Sequence, residues 1–264
     1  MSKEKSKDEK LIGDFLEVCN QFDNFSSSLT MPLYSDEPNL YEYFNLVKQQ
    51  IQKVGFIISK LSPILKEGKR LHDRSLKDES FIPKIHNYLF EHREELSFFH
   101  EDFFIHSRIL MDRLALLSSF LFKINKKEKM ELVDSFSSYF KHENGQITPI
   151  IKDEISKKLP EELKSLLSET KWYIELIKKP RDQLVVHAKD AKHRIIGGVG
   201  FVSGGNFDFL DGLTFLQAYH MGIKNENFNN VPILKFLIPE ITSFLSEYLK
   251  IIKNENEKTK IQTN

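Results

Sequence analysis

An arginine and a histidine stand six positions apart in the stretch "KKPRDQLVVHAKDAKHR" (178–194), at Arg181 and His187. A guanidinium can pair with two phosphate oxygens at once, and an imidazole can take or give a proton near neutrality. Together they suit cleavage of a phosphodiester without a metal. For RNA, that chemistry needs a base for the 2′-OH proton, charge stabilisation for a phosphorane-like transition state and an acid for the leaving 5′-oxygen. The expectation is that His187 handles the proton, Arg181 holds and neutralises the scissile phosphate, and Asp182 orients Arg181 or caps a helix. The products would be a 2′,3′-cyclic phosphate and a 5′-hydroxyl. Lys178, Lys179, Lys189, Lys192 and Arg194 make the surroundings basic, as flanking phosphates would require.

Pro180 stands where a helix tolerates proline, in its first turn, and Asp182 can cap the N–H groups exposed there. Leu184, Val185 and Val186 then turn inward. At 100° per residue, six steps leave His187 about 120° from Arg181 around a regular helix. The two can act together if Arg181 sits just off the helix start, or if a second copy of the stretch completes the site.

Other chemistries fit less well. Helical zinc or di-iron sites place ligands one turn apart. No histidine has a Glu three residues before it, and Asp190 with His193 is the only such carboxylate. The pairs His86 with His92 and His100 with His106 are six apart and diverge. No metal site and no cofactor is expected. Cys19 lies in the amphipathic stretch "LIGDFLEVCNQF", where a small buried residue is the simpler reading, and no Ser stands in a nucleophile elbow. Gly198, Gly200 and Gly204 loosely imitate a dinucleotide fingerprint, but an apolar run separates them where a helix should open. A polar stripe at 101–113 contains Glu101, Arg108 and Asp112 on one arc and Asp102, His106 and Arg113 beside it. It reads either as a solvated face laced by the Arg108–Asp112 pair or as a polar seam of a helix buried on most sides.

The elements that must position these residues are helical. Leu40, Tyr43, Phe44, Val47, Ile51, Val54, Ile58, Leu61 and Leu65 predict one long helix, with Pro63 kinking or shortening its end. Leu96, Phe99, Phe103, Leu110, Leu114, Leu117 and Leu121 predict a second over 94–123. Further helices are expected over 126–141, over 160–179 with a break near Ser168, and over 232–252, with "HENGQITP" and "GIKNENFNN" as loops. β-Branched and aromatic residues around Gly-Gly pairs predict a small β-hairpin-like insert near 195–210. Residues 1–10 and 253–264 read as disordered tails around a single domain, 11–252. The charged N-terminus does not read as a signal peptide. The longest apolar run, 114–124, falls short of a membrane span, so no membrane contact and a cytoplasmic location are expected. Acidic and basic residues balance at 38 each, which leaves any nucleic-acid binding to local patches. The single cysteine forbids an intrachain disulfide.

"RDQLVVH" resembles the signature of the HEPN superfamily, in which an Arg is followed after four to six residues by His and carries Asn, Asp or His as its neighbour. The gap here is five and the neighbour is Asp182. Arg93 and His100 in "REELSFFH" also meet the spacing, but Glu94 takes the neighbour's place. The resemblance implies an all-α, multi-helix bundle that dimerises so that two Arg and His pairs meet in one cleft. It implies a metal-independent endoribonuclease of bacterial defence or a toxin–antitoxin system, with RNA as substrate and a protein partner or antitoxin beside it. The alternative it implies is a non-catalytic HEPN-like protein that dimerises and binds a partner protein or nucleotide. Some members carry a modified Tyr two places after the His; position 189 is Lys, so that control is not implied here.

Overall fold

The computed structural model describes residues 7–28, 39–122, 133–143, 146–178 and 233–263. They are mostly helical. In chain order they form α1 (Lys7–Ser28), α2 (Asn39–Ser75), a 3-10 turn (Glu79–Phe81), α3 (Ile82–Glu91), α4 (Arg93–Leu121) and a second 3-10 turn (Phe136–Tyr139). Two strands follow, β1 (Phe140–Glu143) and β2 (Gln146–Ile151). The rest are α5 (Asp153–Ser156), α6 (Glu161–Ser168), α7 (Lys171–Tyr173) running into a π-turn (Ile174–Lys178), and α8 (Ile233–Thr263). The chain divides into two compact units. The first comprises Met1–Ile12, Phe56–Ile105 and Glu175–Pro239; the second comprises Gly13–Gly55, His106–Ile174 and Glu240–Asn264.

In the first unit, Ile57, Ile58 and Leu61 of α2 and Leu96, Phe103 and Phe104 of α4 are buried at helical spacing. Asp78 caps the 3-10 turn by accepting from the Ser80 N–H at 3.0 Å, and Pro83 pre-sets the first turn of α3. Tyr88 then ties α3 to α2, its hydroxyl donating to the Ile64 carbonyl at 3.0 Å. Burial and the nearby carboxylates of Glu67 and Glu95 push the Tyr88 hydroxyl above its ordinary pKa, so it stays a donor.

The second unit is built on aromatic side chains. Phe15, Val18, Phe22 and Phe25 of α1 face Phe44, Val47, Ile51 and Val54 of α2, with Phe22 and Phe44 stacked at 6.0 Å. Gly55 lets the helices close up, since a Cβ there would stand 3.4 Å from the Phe15 ring and 3.5 Å from Leu16. Phe136 is the hub of a second cluster. Its ring lies 4.6 Å from Tyr173 and 5.8 Å from Phe244 of α8, in edge-to-face contacts. The Tyr248 hydroxyl lies 2.6 Å from the Ser118 Oγ and donates to the Leu114 carbonyl at 3.1 Å, so this buried phenol is satisfied by α4. Burial raises the pKa of both Tyr139 and Tyr248 far above the ordinary range.

Several sequence expectations hold. Phe44, Val47, Ile51, Val54, Ile58 and Leu61 of the α2 stripe and Leu96, Phe103, Leu110, Leu114 and Leu117 of the α4 stripe are buried, while Tyr43, Phe99 and Leu121 are half-buried, and the break near Ser168 falls between α6 and α7. Others need correction. The shortening offered for Pro63 does not occur: α2 continues to Ser75, because Pro63 is exposed and the bond it deletes involves the exposed Ser59. α8 continues past Ile252 to Thr263. The helix expected over 126–141 is not found at 133–141: the chain there makes a 3-10 turn and then β1, while 126–132 lie outside the described residues. Phe136, Tyr139 and Phe140 imitate helical spacing, but all three are buried through a short turn and a strand. The loop expected at "HENGQITP" is instead largely strand. β1 and β2 pair antiparallel with Glu143 opposite Gln146, and β2 packs on α6. The hairpin-like insert expected near 195–210 lies outside the described residues.

Truncating the hub tests this account. Phe136→Ala removes a ring that is 1% exposed and should cost about 3–5 kcal/mol in urea unfolding. A loss under about 1 kcal/mol would mean the cluster does not organise the second unit.

Candidate functional site

Arg181, Asp182, His187, Lys179, Lys189, Lys192 and Arg194 lie outside the described residues, as does the pairing between two copies expected of them. Lys178 ends the π-turn in the first unit and is half-buried. The side chain of Glu101 also lies outside the described residues. Asp102 is half-buried in the first unit, whereas His106, Arg108, Asp112 and Arg113 belong to the second, where they can be described together.

These four do not form a freely solvated face. The Arg108 side chain is 12% exposed, and its Nε donates to Asp112 Oδ2 at 2.9 Å. Its guanidinium stands 5.7 Å over the Tyr173 ring. The second Asp112 oxygen, Oδ1, accepts from the Phe136 backbone N–H at 2.8 Å. One carboxylate therefore holds a cation on its own helix and starts the turn that carries the aromatic hub. Arg113 reaches the other way, its Nη1 donating to the Leu46 carbonyl of α2 at 2.7 Å, and burial lowers its pKa.

Gln50 is the residue that sequence reasoning missed. It is 1% exposed and occupies a position inside the apolar stripe of α2, between Val47, Ile51 and Val54. A polar amide at a core position was the available signal. Its Nε2 donates to the His106 carbonyl at 2.9 Å and lies 2.7 Å from the His106 Nδ1. The carbonyl contact turns the NH₂ group toward His106, so Nδ1 accepts and the ring proton sits on Nε2. His106 is thereby tied to α2 in this arrangement. Gln50 Oε1 and Ser107 Oγ are buried with no hydrogen-bond partner among the described residues.

The remaining candidates are structural. Cys19 is buried, and desolvation, followed by the nearby Asp23 charge, pushes its thiol up to about 12, which removes the thiolate needed for attack. Among the described residues, no group of three His, Cys, Asp or Glu side chains is placed to hold a metal ion. No helix among them is long and apolar enough to cross a membrane. No family model, no curated protein and no solved structure matches the chain.

Two measurements check the seam. Asp112→Ala should lower stability by about 1–3 kcal/mol, because it strands the Phe136 N–H and removes the acceptor of the Arg108 Nε. Asp112→Asn, which keeps an acceptor, should cost less, and equal losses would contradict the dual role. Long-range ¹⁵N NMR of His106 should show the Nε2–H tautomer; a neutral ring protonated at Nδ1 would contradict the Gln50 contact.

Proposed function

We propose that this chain is a metal-independent endoribonuclease of the HEPN type, acting in bacterial defence or a toxin–antitoxin system. The observation that carries the reading is the sequence Arg181-Asp182 followed after four further residues by His187, with five basic side chains close by. The mostly helical character of the described residues supports it, since long helices such as α2, α4 and α8 are what the family's bundle is made of. Arg181 would bind and neutralise the scissile phosphate and His187 would move the proton. Asp182 would hold the guanidinium or cap the helix. Two copies would complete the site, because one regular helix spreads the two side chains about 120° apart. Asp102, His106, Arg108 and Asp112 have no chemical step in this mechanism. The last three shape the second unit through the contacts above.

The test is incubation of the purified protein with total RNA, with and without EDTA. The wild type should cleave in both. His187→Ala should lose roughly 10²–10⁴-fold in rate, as expected for removal of a general acid or base. Arg181→Ala should lose about 10²–10³-fold, as for removal of a charge-stabilising donor. Cleavage unchanged in both variants sinks the assignment. No cleavage by a wild-type dimer favours the non-catalytic, partner-binding reading.

A further inference from the structure

The outward side of α2 in the first unit combines charge and bare aromatic surface in a way the packing does not use. Phe56, Lys60, Pro63, Glu67, Arg70 and Arg74 recur at three and four residues and so share one stripe. Glu67 is half-buried and the others are exposed. Phe56 is 58% exposed, and the Lys60 Nζ stands 5.3 Å over its ring. At the far end, Arg74 lies 5.5 Å and the Lys84 Nζ 4.1 Å from the Phe81 ring. Between them Arg70 grips the Glu67 carboxylate through both Nε and Nη2, which holds that carboxylate below its ordinary pKa and neutralises the one acid on the stripe. Residues 56–84 contain seven Lys and Arg against four Asp and Glu, a local excess in a chain whose charges cancel as a whole.

We propose that this face binds single-stranded nucleic acid, a base stacking on the open surface of Phe56 and the phosphates meeting Lys60, Arg74 and Lys84. The 18 steps from Phe56 to Arg74 rise about 27 Å along the helix. That length suits an extended polyanion and exceeds what a small phosphate ligand can touch. Stacking on exposed rings beside a basic track is how proteins hold single strands without reading their sequence. A lipid surface is less suited, because the exposed charges of Lys60, Arg70 and Arg74 interrupt the apolar surface along the stripe. The ligand is taken to be RNA on the ribonuclease reading above.

The experiment is fluorescence anisotropy of a 12-nucleotide oligouridylate with the full chain. It uses the His187→Ala background so that the probe stays intact. Phe56→Ala and the double variant Lys60→Gln, Arg74→Gln should each weaken binding about tenfold or more. The double variant should also flatten the slope of log Kd against log salt by about 1.4, the contribution of two phosphate contacts on a single strand. Thermal unfolding should match that of the His187→Ala parent, because Phe56, Lys60 and Arg74 are exposed. Variants that bind like the parent overturn the inference. So does binding to phosphatidylcholine–phosphatidylserine vesicles in a Phe56-dependent way without binding to the oligonucleotide. The two proposals fail separately. Cleavage that persists in His187→Ala refutes the assigned active site and leaves this binding in place, whereas His187-dependent cleavage with unaltered binding by the face variants refutes only the face.

Discussion

Asp112 holds the second unit together at a point where charge and packing meet. Its two carboxylate oxygens face different elements: one takes the Arg108 guanidinium on its own helix, the other takes the Phe136 N–H. Phe136 in turn fixes the rings of Tyr173 and Phe244. A buried aromatic hub needs a backbone route into the core, and that route exposes N–H groups that must be satisfied there. Asp112 supplies the acceptor, and the Arg108 guanidinium pairs with its other oxygen. The polar stripe of α4 is thus a requirement of the aromatic core and not an ornament of the surface.

The same logic runs through the other polar groups of α4. Arg113 and His106 reach α2 through the Leu46 carbonyl and Gln50, and Ser118 meets the Tyr248 hydroxyl from α8. Each is a directional contact laid over a non-directional apolar seam. Apolar burial of these helices would tolerate sliding by a turn, while the hydrogen bonds fix one register. This is why residues with the spacing of a solvated stripe are half-buried and already committed to structural partners.

How much of this was legible in the sequence follows from which forces act locally. The buried faces of α2 and α4 could be read because helical periodicity reports them directly, from Phe44 to Leu61 and from Leu96 to Leu117. The segment 133–143 could not, because Phe136, Tyr139 and Phe140 carry helical spacing while tertiary burial in the aromatic cluster decides their conformation. The neighbouring Asn144-Gly145 dipeptide was a missed signal, since Asn-Gly between strand-forming residues is the strongest short hairpin cue. Pro63 misled for a related reason: an exposed proline can stay inside a long helix when water takes the freed carbonyl. The alternative of a polar seam could be stated from the α4 sequence, but choosing it needed Gln50 and Phe136, which are 56 and 24 residues distant from their partners. The Arg181 and His187 pair rests on residue types and spacing alone, which name a chemistry and not a geometry.

The central claim is that Arg181 and His187 cleave RNA by in-line attack of the 2′-hydroxyl. The most direct measurement is the chemistry of the ends left on a defined RNA incubated with the wild-type chain in EDTA. The account predicts 2′,3′-cyclic phosphate and 5′-hydroxyl termini that vanish in Arg181→Ala and His187→Ala. Products ending in 3′-hydroxyl and 5′-phosphate, or intact RNA, would contradict it.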